Sequence, residues 1–265
     1  MAYIVFTDLD GTLLDAETYS PEAALPALDR LARLRVPIVL TTSKTRAEVE
    51  FWRAKLRNSD PFIVENGGAI FIPQGYFPFP VPSSKHRSDY EVLELGIPHS
   101  ELVTTLREAS ASCGIRIMGF EDMTVMAVSA LSGLPLKQAE LAKHREYDEP
   151  FQILDSTVEP LLCEIEKRGR RWTRGGRFFH VTGNNDKGEA IRRLTTLYKR
   201  VYPSVLTIGL GDGLNDIPLL LNVDVPTLIR SPQLDDVQRR VPHGRVTRLP
   251  GPAGWAEAIL EMIPE

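Results

Sequence analysis

The sequence predicts an α/β protein in which a parallel sheet forms the larger domain and a smaller α+β domain is inserted into it. Strand and helix patterns alternate at both ends of the chain, which is typical of right-handed crossovers in a parallel sheet. The strand segments there are continuous apolar runs, as expected for a sheet covered on both faces. The middle of the chain mixes strands and helices in another order. We therefore expect residues 1–82 and 184–265 to form the larger domain and residues 83–183 the insertion.

The N-terminal elements follow from apolar spacing and from the residues that begin helices. Ser20 followed by Pro21 is typical of a helix start, and leucines then recur at helical spacing to about Arg35. The predicted order is a strand at 3–7, that helix, a strand at 36–40, a helix at 46–57 and a strand at 62–64. Residues 73–82, with four prolines and one glycine, predict a hinge or linker.

The remaining elements are predicted in the same way. In the middle region they are a helix from 99, a strand at 115–118, two short helices, a strand at 151–154, a helix at 157–168 and β-prone segments at 171–174 and 177–182. Nearer the C-terminus they are a helix at 189–200, a strand at 205–208, a helix at 215–222 and a strand at 226–229. Asp8, Ser43 and Asp212 all follow strands, and ligands in such folds bind at the carboxyl ends of strands.

Composition limits the classes of function. The 265 residues are 43% hydrophobic and 25% charged, with a net charge of −4, which argues against a general nucleic-acid binder. No apolar run reaches the roughly 20 residues of a membrane span, and the N-terminus lacks the basic segment of a signal peptide. Cys113 and Cys163 are too few for a disulfide framework or a four-thiolate zinc site. We expect a cytoplasmic monomer or homodimer with reduced thiols that binds neither nucleic acid nor membrane.

The strongest chemical signal is the segment Asp8-Leu9-Asp10-Gly11-Thr12-Leu13-Leu14, which directly follows the first strand. Two carboxylates at this spacing can divide the work of phosphoryl transfer, because one can attack phosphorus while the other moves a proton. An Asp-rich turn with only local hydrogen bonds is the alternative for a bare pair of aspartates. The full segment after a buried strand favours catalysis.

A second acidic segment, Gly211-Asp212-Gly213-Leu214-Asn215-Asp216, also follows a strand. Asp212 and Asp216 are four residues apart and can both face a divalent cation. Carboxylate oxygens suit Mg²⁺, and a phosphoryl group beside several aspartates needs such a cation. Helix capping by Asp212 is the alternative, and it is compatible with metal binding. The neighbouring glycines do not match a dinucleotide-binding loop, because the third glycine is misplaced.

The presence of these aspartates makes two further residues, Ser43 and Lys187, candidates for phosphate binding. Ser43 can present its hydroxyl to a phosphate, although taken alone it is more typical of a helix N-cap. Lys187, in Asp186-Lys187-Gly188 before a predicted helix, can neutralise a phosphoryl oxygen. Taken alone, a lysine is most often a solvated side chain.

Taken together, the segments at Asp8, Ser43, Lys187 and Asp212 resemble, in order, the four motifs of the haloacid dehalogenase superfamily of phosphatases. The resemblance implies a Rossmann-like core, with Asp8 as the nucleophile and Asp10 as general acid and then base. It implies Mg²⁺ held by Asp8, the Asp10 carbonyl, Asp212 and, directly or through water, Asp216. It also implies phosphate binding by Ser43 and Lys187. The insertion resembles the larger type of mobile cap, which closes over sugar phosphates.

Secondary motifs resemble the mannosyl-3-phosphoglycerate phosphatase family, which releases phosphate from a glycosylated phosphoglycerate. They are Thr42-Ser43-Lys44-Thr45, Val64-Glu65-Asn66-Gly67-Gly68, Arg145-Glu146-Tyr147-Asp148-Glu149-Pro150-Phe151 and Gly175-Gly176-Arg177-Phe178-Phe179-His180. This resemblance implies an anionic sugar-phosphate substrate bound by Asn66, Gly67, Arg145 and Arg177. Arginine suits its carboxylate because the guanidinium can bind both oxygens. The motif alone assigns no role to His180.

Three other functions share these features. A glucosyl-3-phosphoglycerate or general sugar phosphatase would keep every core residue and differ in cap contacts. A phosphomutase would retain a sugar-bisphosphate intermediate. A non-catalytic binding module is disfavoured because crowded aspartates without a metal are costly to keep together. The basic run Lys167 to Arg177 is most typical of a solvated helix end, although part of it can steer an anionic substrate.

Overall fold

The computed structural model describes residues 1–175 and 177–264, and within them thirteen strands and ten α-helices are present. The strands are β1 (Ala2–Thr7), β2 (Ile38–Thr41), β3 (Phe62–Val64), β4 (Ala69–Pro73), β5 (Lys85–Arg87), β6 (Tyr90–Glu94), β7 (Ile117–Gly119), β8 (Asp148–Ile153), β9 (Arg171–Gly175), β10 (Phe178–Thr182), β11 (Val205–Gly211), β12 (Val225–Arg230) and β13 (Arg245–Pro250). The helices are α1 (Leu25–Leu34), α2 (Arg46–Leu56), α3 (His99–Cys113), α4 (Val125–Ser132), α5 (Leu136–Ala142), α6 (Glu159–Lys167), α7 (Lys187–Val201), α8 (Ile217–Leu220), α9 (Leu234–Arg240) and α10 (Gly251–Met262).

The larger sheet has nine strands in the order β13-β12-β11-β1-β2-β3-β4-β6-β5. From β13 to β3 all pairings are parallel, and from β3 to β5 all are antiparallel. β1 lies between β2, which follows it in the chain, and β11, which comes about 200 residues later. The strand order reverses at this point, which is where open α/β sheets form a binding crevice.

Helices cover both faces of this sheet because successive side chains of its strands point to opposite sides. Val5 of β1 packs in a cluster with Trp52 of α2 and Trp255 of α10. Ile4 and Phe6 pack on the other face with residues of α7, α8 and α9. The predicted α/β fold with a mainly parallel sheet is therefore confirmed.

The cap is a second, antiparallel sheet with strand order β7-β8-β10-β9. One apolar cluster joins it to α3 and α6 through Leu102, Phe151 and Leu161. A second cluster contains Phe120 and Phe178, whose rings meet edge to face at 4.9 Å, together with residues of α4 and α5. The predicted smaller α+β unit is thus present, with apolar cores of its own.

The segment from residue 69 to 94 differs from the sequence-based expectation. β4, β5 and β6 were not predicted, and they extend the larger sheet, so residues 85–94 pair with the core sheet although they lie beyond residue 82. The proline-rich segment 73–82, expected to be a hinge or linker, packs against the core: Phe77 and Val81 are buried in the apolar cluster that contains Ile4, and the Phe77 ring lies 5.3 Å from that of Tyr198 in α7. The domain boundaries at 82/83 and 183/184 stay a prediction.

None of the helices within the described residues combines the length and apolar character needed to cross a membrane.

Candidate active site

The carboxyl ends of β1 and β11 bring three aspartates together. Asp8 directly follows β1 and Asp212 directly follows β11, while Asp216 lies one turn further on. One carboxylate oxygen from each lies within 4.8 Å of the others. The sheet pairs Thr7 with Leu210, so adjacent strands deliver segments 200 residues apart to one place.

Lys187 is buried among these aspartates at the start of α7. Its Nζ lies 2.7 Å from Oδ1 of Asp8 and 2.6 Å from Oδ1 of Asp216. Burial alone would lower the pKa of Lys187, but the two carboxylates raise it, so the ammonium keeps its charge. Burial, followed by the charge of Asp216, raises the pKa of Asp8 to about 7 despite the nearby ammonium.

Hydrogen bonds hold the other two carboxylates in place. Thr12 donates its hydroxyl to Oδ1 of Asp212 at 2.8 Å, and Oδ2 of Asp216 accepts the amides of Asp212 and Gly213 at 3.1 and 3.0 Å. Burial and the charges of Asp216 and Asp8 raise the pKa of Asp212. Asp212 does not cap a helix, because Gly213 occupies the N-cap of the short 3-10 turn that follows.

The acidic cluster fits a hard divalent cation. Three carboxylates face one ammonium. Burial and the charge of Asp216 raise the pKa values of both Asp8 and Asp212, so another positive charge would stabilise their ionised forms. Oxygen donors of this kind are those Mg²⁺ prefers. Gly11, with φ +76°, lets the loop pass this cluster closely, since a Cβ there would lie 2.7 Å from Oδ2 of Asp212.

Asp10 lies beside the cluster and pairs with a lysine that the sequence analysis did not single out. Nζ of Lys44 lies 2.8 Å from Oδ2 of Asp10 and 3.6 Å from Glu48, and the lysine is buried. Oδ1 of Asp10 is also buried, and among the described residues it has no hydrogen-bond partner. The Asp10 carboxyl therefore has one oxygen left for another molecule.

Ser43 follows β2 and lines a cavity of about 290 Å³ between the sheet and the cap. The alternative role of Ser43 as an N-cap is excluded, because Thr45 caps α2 in a reciprocal pair with Glu48. From the core, Asp8, Asp10 and Ser43 line the cavity. From the cap, Arg145, Arg177 and His180 line it.

The two arginines are anchored differently. Arg145 donates through Nη1 to the Ser43 carbonyl at 2.7 Å and through Nε to the Ala142 carbonyl at 2.8 Å, so it joins cap and core. Arg177 is exposed and donates to the Leu131 carbonyl at 3.0 Å. Gly176, which precedes it in the motif described above, lies outside the described residues.

Asn66 and Gly67 lie behind the cavity, and neither is among the residues that line it. Asn66 donates its amide to Oδ2 of Asp148 at 2.9 Å, and a Cβ on Gly67 would lie 2.2 Å from the Asp186 carbonyl. Glu65 accepts the backbone amides of Glu146 and Tyr147 at 2.8–3.1 Å. This segment therefore fastens the cap strand β8 to the core.

Comparisons with known proteins agree with this arrangement. Residues 5–77 match the family model of haloacid dehalogenase-like hydrolases. The chain is 41% identical to a glucosyl-3-phosphoglycerate/mannosyl-3-phosphoglycerate phosphatase of Methanococcoides burtonii, covering 99% of this chain and 98% of that one. It is 42% identical to a mannosyl-3-phosphoglycerate phosphatase of Pyrococcus furiosus, covering 86% and 91%.

Solved structures share the whole fold at lower identity. A sugar phosphatase of haloacid dehalogenase subclass IIB matches with a TM-score of 0.68 and 19% identity, covering 98% of this chain and 99% of that one. A protein of Thermotoga maritima matches with a TM-score of 0.67 and 16% identity, covering 100% and 98%. At such identities the likeness shows a common fold, including the arrangement of core and cap.

Proposed function

The chain belongs to the haloacid dehalogenase-like hydrolases, and from this premise we propose that it is a phosphomonoesterase that removes the phosphate of a glycosyl-3-phosphoglycerate. Mannosyl-3-phosphoglycerate is the proposed substrate and mannosylglycerate the product. The observation that carries the proposal is the cluster of Asp8, Asp212, Asp216 and Lys187 beside Asp10, at the edge of a cavity that cap arginines enclose. Relatives that match 86–99% of this chain and are named for this reaction support the same substrate class.

In the first step, a carboxylate oxygen of Asp8 attacks the phosphorus and forms an aspartyl-phosphate. The bond between phosphorus and the glycerate oxygen breaks, and Asp10, as a carboxylic acid, gives its proton to that oxygen. Asp10 is suited to this role because its Oδ1 has no partner within the described residues. Lys187 and Ser43 bind phosphoryl oxygens and hold the phosphorus in line.

In the second step, water attacks the phosphorus of the aspartyl-phosphate. Asp10, now a carboxylate, takes a proton from that water, the bond to Asp8 breaks, and inorganic phosphate is released. Both aspartates then have their starting forms. The buried Lys187 limits the repulsion between the Asp8 carboxylate and the departing phosphate.

Asp8, Asp212, Asp216 and the Asp10 carbonyl would hold Mg²⁺. When bound, the ion supplies positive charge that offsets the negative charge developing on the phosphoryl oxygens. Removal of Mg²⁺ should therefore stop phosphate release.

Recognition of the rest of the substrate belongs to the cap and to the edge of the core. The glycerate carboxylate suits Arg145 and Arg177, whose planar guanidinium groups bind carboxylates through two hydrogen bonds. Asn66 and Gly67, expected from the sequence to bind substrate, are better proposed as supports of β8, given the contact of Asn66 with Asp148.

Glucosyl-3-phosphoglycerate is a second candidate substrate. It is favoured by the relatives of Methanococcoides burtonii and Persephonella marina, 41% and 40% identical, whose names include both sugars. The two compounds differ in the hexose, which meets the cap, so the core chemistry is common to both.

The test is phosphate release from matched mannosyl- and glucosyl-3-phosphoglycerate, measured with Mg²⁺ and again with EDTA. We expect Mg²⁺-dependent release with a preference for the mannosyl compound. Equal or faster release from the glucosyl compound would contradict the preference for mannose but not the proposed phosphatase mechanism. Release from neither compound, with release from a generic aryl phosphate, would contradict the substrate class alone.

A further inference from the structure

A buried, hydrogen-bonded His180–Asp148 pair in the cap reaches the catalytic cavity and has no part in the mechanism above. Nδ1 of His180 lies 2.9 and 3.1 Å from the two oxygens of Asp148, which is completely buried. Asn66 donates to the same carboxylate at 2.9 Å, and Nη1 of Arg145 lies 3.9 Å from it. Residues on β8, on β10 and in the core thus meet at one carboxylate.

These contacts fix which ring nitrogen of His180 carries a hydrogen. An ionised carboxylate only accepts hydrogen bonds, so Nδ1 must be the donor to Asp148. Burial alone would raise the pKa of Asp148, but His180, Arg145 and Asn66 together lower it, which agrees with an ionised carboxylate. In the neutral imidazole Nε2 then carries a free lone pair.

Nε2 is placed to use that lone pair on a ligand. His180 lines the 290 Å³ cavity with Asp8 and Asp10. Among the described residues, Nδ1 of His180 makes the hydrogen bonds to Asp148 and none is made by Nε2. The side chain is 8% exposed, and Nε2 is not among the fully buried side-chain atoms that lack a partner, so a hydroxyl group or a water molecule in the cavity can reach it.

We propose that Nε2 of His180 accepts a hydrogen bond from a hydroxyl group of the sugar, and that Asp148 and Asn66 are positioning residues for this contact. The proposal rests on the proposed function, because the hexose carries all the hydroxyl groups of a glycosyl-3-phosphoglycerate. The phosphate and the carboxylate are ionised at neutral pH and accept hydrogen bonds. Their complements are the cations of the site: Lys187, Arg145 and Arg177.

Two substitutions at position 180 separate the two ring nitrogens. In H180N the amide can keep the hydrogen bond to Asp148 but does not reach as far as Nε2. In H180Q the longer side chain carries an oxygen near the position of Nε2. A loss in H180N that H180Q restores therefore reports the contact in the cavity rather than the support of Asp148.

His99 supplies a matched control in the same cap. Its Nε2 lies 2.7 Å from Oε2 of the buried Glu149, so it is also a histidine paired with a buried carboxylate. His99 is not among the residues that line the cavity. H99N consequently tests whether loss of any such pair in the cap lowers activity.

The experiment measures kcat and KM of wild type, H180N, H180Q and H99N with mannosyl- and glucosyl-3-phosphoglycerate. The Ki of 3-phosphoglycerate, which has the carboxylate and phosphate but no sugar, is measured in parallel. One neutral hydrogen bond corresponds to a change of about 10-fold. We expect H180N to lower kcat/KM of the better glycoside about 10-fold, mainly through KM, and to leave the Ki within twofold. H180Q should recover most of the loss, and H99N should match wild type.

Several results would overturn the assignment. A parallel rise in the Ki of 3-phosphoglycerate would mean that His180 binds the carboxylate instead. An equal loss of kcat/KM in H99N, or no loss in H180N, would contradict the proposed sugar contact and leave the proposed function intact. Release of phosphate from neither glycoside by wild type would overturn the proposed substrate and this contact with it.

Discussion

At the scale of single residues, Lys187 lets buried carboxylates share one site. Its ammonium contacts Asp8 and Asp216 within 2.7 Å, whereas Asp212 is held by the Thr12 hydroxyl. Removing one member of a buried ion pair is costly because the other charge stays buried without compensation. Repulsion among the three carboxylates therefore persists until a cation binds beside them.

We expect Asp8→Asn to lower phosphate release by at least about 1000-fold, as loss of an enzyme nucleophile does. The fold should stay intact, and the thermal midpoint of unfolding should not fall, because Lys187 keeps Asp216 as its partner while one of three crowded negative charges is removed. Phosphate release and thermal unfolding of the same preparation check both points. Residual activity above a few percent would contradict the role of Asp8 as nucleophile.

The Asp148 carboxylate should make the cap sensitive to acid. Its pKa is lowered in the folded protein relative to the unfolded value of 3.8. The ionised carboxylate therefore stabilises the folded protein above pH 3.8, and this stabilisation is lost as the pH falls through the folded pKa. We expect the difference in free energy of unfolding between wild type and Asp148→Asn to shrink as the pH falls from about 5 to about 3. Urea unfolding at several pH values measures it.

Asp155 gives the control for this pH series. It is also paired with an arginine, Arg116, and its pKa is also lowered, by hydrogen bonds from that residue. The pair is exposed, so solvent and salt screen it. High salt should therefore abolish the pH dependence of the difference in free energy of unfolding between wild type and Asp155→Asn. It should leave most of the corresponding pH dependence for Asp148→Asn. An equal reduction for both variants would contradict the importance of burial.

At the scale of elements, the turn after β3 connects the core to the cap. Glu65, Asn66 and Gly67 all have positive φ, at 48°, 54° and 87°. Such backbone costs of order 1–3 kcal/mol at non-glycine residues, and here the side chains of Glu65 and Asn66 offset it by binding residues 146–148 of the cap. We call residues 65–67 the clamp, because they hold the cap against the core, and Asn66 and Gly67 do not line the cavity.

Glu65→Ala should loosen this clamp. Two backbone amides, of Glu146 and Tyr147, would lose their acceptor, at about 1–3 kcal/mol for each buried group. We expect faster hydrogen exchange at those amides and lower activity, with Glu65→Gln between Ala and wild type because it keeps one acceptor oxygen. Glu91→Ala, which removes an acceptor of the Val81 amide within the core, is the control. Unchanged exchange at Glu146 and Tyr147 would contradict the clamp.

The elements that the sequence predicted best are those with long apolar periodicity. β1, α1, β2, α2 and β3 occur in the predicted order, and β3 has the predicted bounds. The start of α1 was predicted wrongly: a 3-10 turn at Glu22–Ala24 comes first, so the α-helix begins at Leu25 rather than at Pro21. β4–β6 were missed because prolines and glycines around residues 73–82 hide short antiparallel strands whose pairing is decided by the neighbouring sheet. β13, α9 and α10 near the C-terminus were also not predicted.

Within the site, the sequence indicated residues that occur in compact motifs. Asp8, Asp10, Asp212 and Asp216 stand in two short segments that follow strands, and the structure brings three of their carboxylates together. Lys44 and His180 show no such spacing signal, because their partners in the site are distant in sequence. Lys44 contacts Asp10, 34 positions away, and His180 contacts Asp148, 32 positions away. Asn66 was expected to bind substrate, but its distant partner Asp148 could not be known from the chain alone.

At the scale of the whole molecule, the proposed metal site joins the two halves of the core that the cap separates in sequence. Mg²⁺ should therefore stabilise the folded state, because the unfolded chain holds no such cluster. At about 100 times its Kd a ligand adds roughly 2.7 kcal/mol. We expect the thermal midpoint to rise with Mg²⁺ in wild type, and to fall back when EDTA is added.

Asp212→Asn should remove most of this rise, since it takes one carboxylate from the cluster. Asp29→Asn removes an exposed aspartate of α1 and should respond to Mg²⁺ as wild type does. An equal rise in Asp212→Asn would mean that the ion acts elsewhere on the protein.

The position of β1 between β2 and β11 also determines when the active site can assemble during synthesis. Asp8 leaves the ribosome about 200 residues before Asp212, which at 5–20 residues per second is a delay of roughly 10–40 s. The cap strands, with their own apolar clusters, are translated within that interval. Trp255, which donates to the Thr7 hydroxyl at 3.0 Å, arrives later still. A nascent chain therefore carries Asp8 early and cannot assemble the acidic cluster until Asp212 and Asp216 have been translated.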